Sequence, residues 1–488
     1  MDLLEAFLLR VSSHPQVTAV EHRGIPTSYE ELSALAGRIA GTVQQVTHTV
    51  SPRVLVVLPP STSAYAGMIG TLMAGGTFCP LNIHGPEGRN AAITLAFSPD
   101  VVLFDGTPFP FLDALPPATP RIVTSTLGTE ILDRPSEQYS EVAYVVFTSG
   151  SSGLPKGVKV GRRGFSHFLA VSRAYFCLSP GERWAQFSNL GYDMAIMDVF
   201  MALTQGGTLI PLAGPMERLM PATAIKDKQI AIWQSVPSAL DLMIRAHHVS
   251  PDHLASLRVM SFCGEPLLPR HLKTLYAARP DLEVFNTYGT TETTGFNTFN
   301  RLSSDNYLAS CDAATVALGD DVPGWTLSLL GGDSADEGEI VVSSECLSLG
   351  YWCDEERTRA AFRQLRAGES PECRSYFTGD WGVRRNSRLY FSSRIDRQVK
   401  IRGVRVELGE VDSLLREFGF AAAYTTLIGG EVHSFVESAV DVDEDDVRRQ
   451  LATRLPFHSI PKTLRAVAQL PRTPNGKIDV VSLTGKRV

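Results

Sequence analysis

Apolar residues along this chain fall into two alternating patterns. Short unbroken runs occur at 54–58, 101–104, 142–147, 208–212 and 340–342. Between them lie longer segments at 29–43, 61–74, 237–246 and 269–279, in which apolar positions recur with helical spacing. Strand-length runs separated by helix-length periodic segments predict an α/β architecture with largely parallel, buried sheets. No repeat of fixed period and no low-complexity tract interrupts the pattern, and the Pro/Thr-containing stretch 107–120 reads as an exposed connection. No Asp, Glu, Lys or Arg occurs between Arg53 and Glu87. Pro59-Pro60, several Ser and Thr and Gly75-Gly76 break that stretch, so it predicts a buried strand and helix instead of a membrane span.

Composition narrows the class without naming a chemistry. With 488 residues, 44% hydrophobic and 20% charged, the chain can bury large cores, which excludes disordered, collagen-like and disulfide-scaffold classes. Length alone suggests about three domains. A net charge of −7 and the lack of a long basic run argue against a nucleic-acid partner. Seven scattered cysteines with no CxxC pair fit reduced thiols in a cytoplasmic protein. The acidic N-terminus does not resemble a secretion signal. From Asp396 onward there are 14 Lys+Arg and 13 Asp+Glu, so the negative charge resides in the preceding part. We therefore expect two units, 1–395 and 396–488, the second opening with the charge-dense run DRQVKIRGVRVELGEVD. The acidic run 441–446 is expected to open a helix, where carboxylates meet the positive end of the dipole.

Chemistry concentrates in a few segments. A strand runs into Thr148, Ser149, Gly150, Ser151, Ser152 and Gly153, followed by Lys156. Glycines there allow backbone N–H groups to converge and hydroxyls add donors, which suits a polyphosphate. The pattern is not that of a P-loop, and a plain flexible Ser/Gly loop is the competing reading. Further along lie Asn286-Thr287-Tyr288-Gly289-Thr290-Thr291-Glu292, Tyr376-Phe-Thr-Gly-Asp380, an alternating-charge segment from Ser393 to Gly403, and Pro474-Asn-Gly-Lys477.

These segments, in this order, resemble the core motifs of the adenylate-forming superfamily, in particular amino-acid adenylation enzymes, from about Leu72 to Lys477. Trp233-Gln-Ser-Val-Pro-Ser238, Ser261-Phe-Cys-Gly-Glu265 and Tyr192-Asp193-Met-Ala-Ile-Met-Asp198 bring the resemblance nearest to stand-alone D-alanine–carrier-protein ligases. The resemblance implies a large body of stacked α/β subdomains with a small β-barrel-like subdomain, and a small mobile α+β lid that swings about Asp396. It implies ATP and Mg²⁺. Thr148, Ser149, Gly150, Ser151, Ser152 and Lys156 would hold phosphates. Tyr288 would stack on adenine with Asn286 near its amine and Gly264-Glu265 on the other face, while Gly289, Thr290 and Thr291 complete that wall. Asp380 with Arg394 would take the ribose, Glu292 the Mg²⁺, and Lys477 the carboxylate and α-phosphate during attack, with Thr148, Glu292 and Lys477 as catalytic groups.

Asp193 would pair with the α-ammonium of an amino acid; a helix-cap role is the alternative. Motif alignment implies a side-chain pocket of Met194, Met197, Gln234, Ser261, Cys263, Thr287, Gly295 and Phe296, narrow enough for a small side chain. The methionines could equally be plain core. Departures from the family pattern are Thr290 for a proline, Ser393 for a glycine and Tyr192 for a phenylalanine. None removes a required charge, but they loosen the tie to D-alanine. The resemblance implies a two-step ligase: a small α-amino acid becomes aminoacyl-AMP and then a thioester on a phosphopantetheinylated carrier protein. Because the chain stops eleven residues after Lys477, that carrier is expected to be a separate, acidic molecule docking beside the lid. An acyl- or aryl-CoA synthetase and a catalytically inactive binding protein of the same fold are the rivals. Gly331-Gly-Asp-Ser334 is expected to be a surface turn and not a carrier attachment site. His247, His248 and His253 lack the companions of a metal site.

Overall fold

Why the apolar runs are unbroken becomes clear in the computed structural model, which describes the chain except residues 129–130, 133, 151–154, 365–372, 439–441, 473–477 and 485–488. The strands Ile232–Ser235 and Val259–Phe262 are buried at every position. They lie inside a nine-stranded sheet whose central strands run parallel and whose outer pairs, Thr18–His22 with Ile25–Ser28 and Glu283–Tyr288 with Thr298–Leu302, are antiparallel. Strands covered on both faces have no solvent side to mark with polar residues.

A second sheet of six strands follows the same rule. Arg121–Val123, Val101–Phe104, Arg53–Val57, Thr77–Pro80 and Val142–Thr148 are parallel, and Lys156–Gly161 turns back antiparallel on the last. The Ser/Gly loop with the composition of a phosphate cradle thus joins a buried strand to the return strand. The uncharged stretch forms the strand Arg53–Val57 and the helix Thr62–Met73, whose residues from Ala64 onward are all buried. Among the described residues no helix is long and apolar enough to cross a membrane. The helix Tyr29–Thr47 beside it opens with a reciprocal cap between Ser28 and Glu31.

The barrel-like subdomain is represented by a five-stranded antiparallel sheet built from Thr326–Gly331, Glu337–Ser344, Phe362–Arg363, Arg374–Arg385 and Arg388–Arg394. Gly331-Gly332-Asp333-Ser334 begins the hairpin turn of its first two strands, as a surface turn should. After Asp396 come the hairpin Gln398–Ile401/Val404–Glu407 and a three-stranded sheet, Ala423–Ile428, Glu431–Glu437 and Thr463–Val467, with the helices Leu408–Glu417 and Glu444–Ala452. The acidic run does open a helix: Asp443 accepts from the N–H groups of Asp445 and Asp446. Two hydrophobic clusters in this part, around Val411, Leu414 and Leu451 and around Val406, Leu408 and Val432, draw on no residue before it. His248 and His253 stack on each other, and the described residues hold no cluster of His, Cys, Asp and Glu able to take a metal.

Candidate active site

A cavity of about 430 Å³ opens where the parallel strands end, the place where open α/β sheets present ligand sites. Its walls combine Thr148 and Ser149 after one strand, Cys263 and Gly264 after another, and Asp193, Met194 and Met197 from the start of the helix Asp193–Gln205. Gly289, Thr290, Thr291, Gly295 and Phe296 continue the wall, as do Arg394 and the hairpin residues Lys400, Gly403 and Arg405. Gly150 is buried and does not line the cavity. Ser151, Ser152 and Lys477 lie outside the described residues.

Glu292 sits behind the wall with no exposed surface. The Tyr351 hydroxyl donates to its Oε1 at 3.1 Å, the Lys156 ammonium stands 3.3 Å away, and the Arg405 guanidinium spans both oxygens at 3.1 and 3.2 Å. Burial alone would raise this carboxyl; Arg405 and Lys156 outweigh it and hold the group well below the usual carboxylate range. Burial conversely lowers Lys156, with Glu292 opposing.

Asp193 is a different case. One oxygen accepts from the Thr291 hydroxyl at 2.6 Å and the other from the Met194 N–H at 2.8 Å. No cation among the described residues forms an ion pair with it, and burial raises its carboxyl, the two hydrogen bonds and the more distant Lys400 opposing. The side-chain space beside it is bounded by Met194, Met197, Val236, Cys263, Gly295 and Phe296.

Two expected lining residues do not reach this space. Gln234 and Ser261 are cross-strand partners with no exposure, and their side-chain polar atoms have no hydrogen-bond partner among the described residues. Val236 and Cys263, two residues further along the same strand faces, form the floor and leave the pair one step deeper. Thr287 is likewise turned away, its hydroxyl donating to the Phe262 carbonyl at 3.0 Å.

The expected nucleotide end is assembled only in part. The Tyr288 hydroxyl donates to Asp380 at 2.7 Å, and Arg394 bridges Asp380 to Asp396. Asp380, Arg394 and the supposed hinge residue therefore form one chain of contacts. The hydroxyl oxygen of Thr148 is buried with no partner among the described residues, as an unmet phosphate ligand would be. Asn286 departs from expectation: its amide donates to the Ala317 and Val316 carbonyls at 2.8 and 3.3 Å, and it is absent from the cavity wall. Glu265 departs as well. Its oxygens accept from the N–H groups of Ser238 and Gly403, so it tethers the hairpin and does not face the cavity.

Arg405, Tyr351 and Arg89 join the site without having been singled out by any motif, and Lys400, from the alternating-charge segment, joins it without a role having been assigned to it. Arg405 and Lys400 lie in the charge-dense run, and the hairpin register pairs them across the two strands, so they share a face. The alternation VKIRGVRV contains that signal. Arg89 joins Glu410 at 3.3 Å across the cavity rim, linking the helix Glu87–Phe97 to the C-terminal part. Nothing local marks it.

A cavity at strand ends, a hydroxyl- and glycine-bearing loop, and buried carboxylates are the features of an α/β enzyme that binds a nucleotide. Residues 7–352 match the model of the AMP-binding enzymes, and the chain belongs to that family. It is 28% identical to the D-alanine–D-alanyl carrier protein ligase of Staphylococcus aureus over 514 residues, 98% of each chain. It is 29% identical over 496 residues to phenyloxazoline synthase MbtB of Mycobacterium tuberculosis, covering 98% of this chain. It spans only about a third of that relative's length (34%). Among solved structures, the adenylation domain AlmE of Vibrio cholerae, in complex with glycyl-adenosine-5'-phosphate, superposes with a TM-score of 0.84 at 22% identity, over 99% of this chain and 98% of that one. That likeness carries the fold.

Proposed function

We propose that this chain activates a small α-amino acid with ATP and passes it, as a thioester, to the phosphopantetheine thiol of a separate carrier protein. The observation that carries the reading is Asp193: a carboxylate on the cavity wall, fixed by Thr291 and Met194, without an ion-pair partner among the described residues and beside a narrow space floored by Val236 and Cys263. An α-ammonium would complete it. The alternative acids of the superfamily carry no such group.

In the first step a carboxylate oxygen of the amino acid attacks the α-phosphorus of ATP, the bond to the bridging oxygen breaks, and pyrophosphate leaves with the electron pair. Thr148 and Ser149 bind the phosphates, Asp380 and Arg394 the ribose, and Lys477 the developing charge on the α-phosphate. A single buried carboxylate beside this loop suits Mg²⁺, which relies on one or two carboxylates together with substrate phosphates. Held by Glu292, it would neutralise charge on the departing pyrophosphate. In the second step the thiol gives up its proton, sulfur attacks the acyl carbon, and the bond to AMP breaks. Residues 396–488 act as the lid, pivoting at Asp396 to exchange Lys477 for the Gly403 hairpin.

ATP–pyrophosphate exchange tests the reading with a panel of D- and L-amino acids and of acids lacking the α-amine. Exchange is expected with small amino acids; exchange confined to the acids without the amine defeats it. Formation of the thioester on a carrier protein, detected by mass, tests the second step.

A further inference from the structure

Arg405 occupies the site at two points. Its guanidinium lies across both oxygens of Glu292, and its main-chain carbonyl accepts from the Ser149 hydroxyl at 2.9 Å. The two groups that the first step assigns to a divalent ion and a triphosphate are therefore both held by one residue of the hairpin. Glu292 has no exposed surface and already holds Lys156 and Tyr351. A carboxylate offers about four lone-pair directions, and here Oε1 meets three donors while the guanidinium also reaches Oε2. A divalent ion bound to these oxygens would stand against the guanidinium, charge to like charge, in a place with little water to screen them.

When metal and pyrophosphate depart, the carboxylate keeps Lys156 and Tyr351 on Oε1, and the guanidinium of Arg405 supplies the cation that also reaches Oε2. Arg405 arrives on the hairpin, which is locked at its tip: Gly403 donates its N–H to Glu265, and a Cβ on Gly403 would lie 2.3 Å from Val236 Cγ1.

We propose that Arg405 replaces the divalent ion at Glu292, so that metal-bound and hairpin-seated arrangements exclude each other. This rests on the function proposed above for the identity of the two steps. Arg405 is a positioning residue that acts through Glu292. The hairpin seats after metal and pyrophosphate have gone, the thioester-forming step runs with no divalent ion at Glu292, and excess metal holds the hairpin out.

The test measures Mn²⁺ affinity of the full chain, saturated with AMP, from the loss of the free ion's EPR signal. Removing the competing cation in Arg405→Met should tighten Mn²⁺ binding about tenfold or more, within the usual range of coupling between two sites. Arg405→Lys keeps a cation on the hairpin and should stay near the parent, and Glu292→Gln should lose the gain. A Met variant that binds no tighter than the parent overturns the proposal. So does a Lys variant that matches the Met variant, or a Glu292→Gln variant that binds as tightly. In a second arm, synthetic aminoacyl-adenylate is given to the parent with carrier protein. Thioester formation should persist in EDTA and slow in millimolar Mg²⁺; arrest in EDTA also overturns the proposal. Failure of every adenylate to yield thioester would instead defeat the proposed function, and the Mn²⁺ titration would still decide the role of Arg405.

Discussion

Two carboxylates beside the same cavity, Glu292 and Asp193, have been treated in opposite ways. Glu292 is surrounded by Arg405, Lys156 and Tyr351, and its charge is held in place although it has no contact with water. Asp193 has a hydroxyl and one backbone N–H, and burial raises its carboxyl. A buried carboxylate met by cations is at rest in the structure. One met only by neutral donors has a place left for a cation, and the cavity beside it says where that cation comes from. On the proposed function, the contrast separates a group whose partners belong to the protein from a group whose partner is the substrate.

Stability should break the comparison most visibly. Glu292→Gln leaves Lys156 and Arg405 buried without their anion and should cost about 3–5 kcal/mol, read from the midpoint of urea unfolding. Asp193→Asn removes a charge that no described residue meets in an ion pair and should cost less than about 1 kcal/mol. Equal losses at the two positions would show that Asp193 is also bound by a protein cation. Amino-acid selection should show the reverse order. Asp193→Ala removes the partner of a desolvated ammonium and should lower kcat/KM for the amino acid in pyrophosphate exchange on the order of 10²–10³-fold, with ATP binding by calorimetry changed less than about twofold. A selectivity profile that does not move would take the ammonium away from Asp193.

The hairpin sharpens the same contrast from the other side, since it reaches Glu292 only when seated. At Gly403 the backbone has φ +77 and a Cβ would strike Val236, so Gly403→Leu meets both a conformational and a steric penalty. Thioester formation should fall about 10²-fold, and pyrophosphate exchange by far less. Equal loss in both assays would mean that the hairpin serves the first step as well.

Legibility from sequence followed the range of the interactions. The segments around Thr148 and ending in Glu292 stood out because each puts hydroxyls and glycine, with a Lys in the first and an acid in the second, within a few residues of one another. The parallel sheets were readable because strands buried on both faces leave unbroken apolar runs. Depth was not. Gln234 and Ser261 align with pocket positions, yet Val236 and Cys263 stand in front of them, and only the packed strands decide which pair meets the cavity. Glu265 and Asn286 were misplaced for a related reason: their hydrogen bonds go to Gly403 and to the Ala317 carbonyl, remote segments that no local motif mentions. Arg405 lay in a run already marked as charge-dense, but its partner Glu292 is 113 residues away.

The smallest effect concerns the seam between the helix Glu87–Phe97 and the part after Asp396. Glu410 is almost fully buried, and its carboxyl is raised from the ordinary 4.5 to about 6. Burial drives the rise, and Glu407 adds to it, while Arg89 and Arg454 oppose. In the proposed cycle, in which the lid withdraws and leaves Glu410 in water, the raised carboxyl means that the seated arrangement binds a proton which the withdrawn one releases. Seating is therefore weakest above about pH 6, where the ion must be buried, and strengthens as pH falls from there towards 4.5. Below 4.5 both arrangements are protonated and the dependence ends. Each pH step between those two values is worth about 1.4 kcal/mol, which makes the full effect of order 2 kcal/mol. Fluorophores on exposed positions of the body and of the three-stranded sheet should report a larger seated population at about pH 5 than at about pH 7.5. Glu410→Gln should raise it at the higher pH and flatten the profile. A parent profile that is already flat would place Glu410 in the same neutral environment whether the hairpin is seated or withdrawn, and would leave Arg89 as a contact that does not distinguish the two.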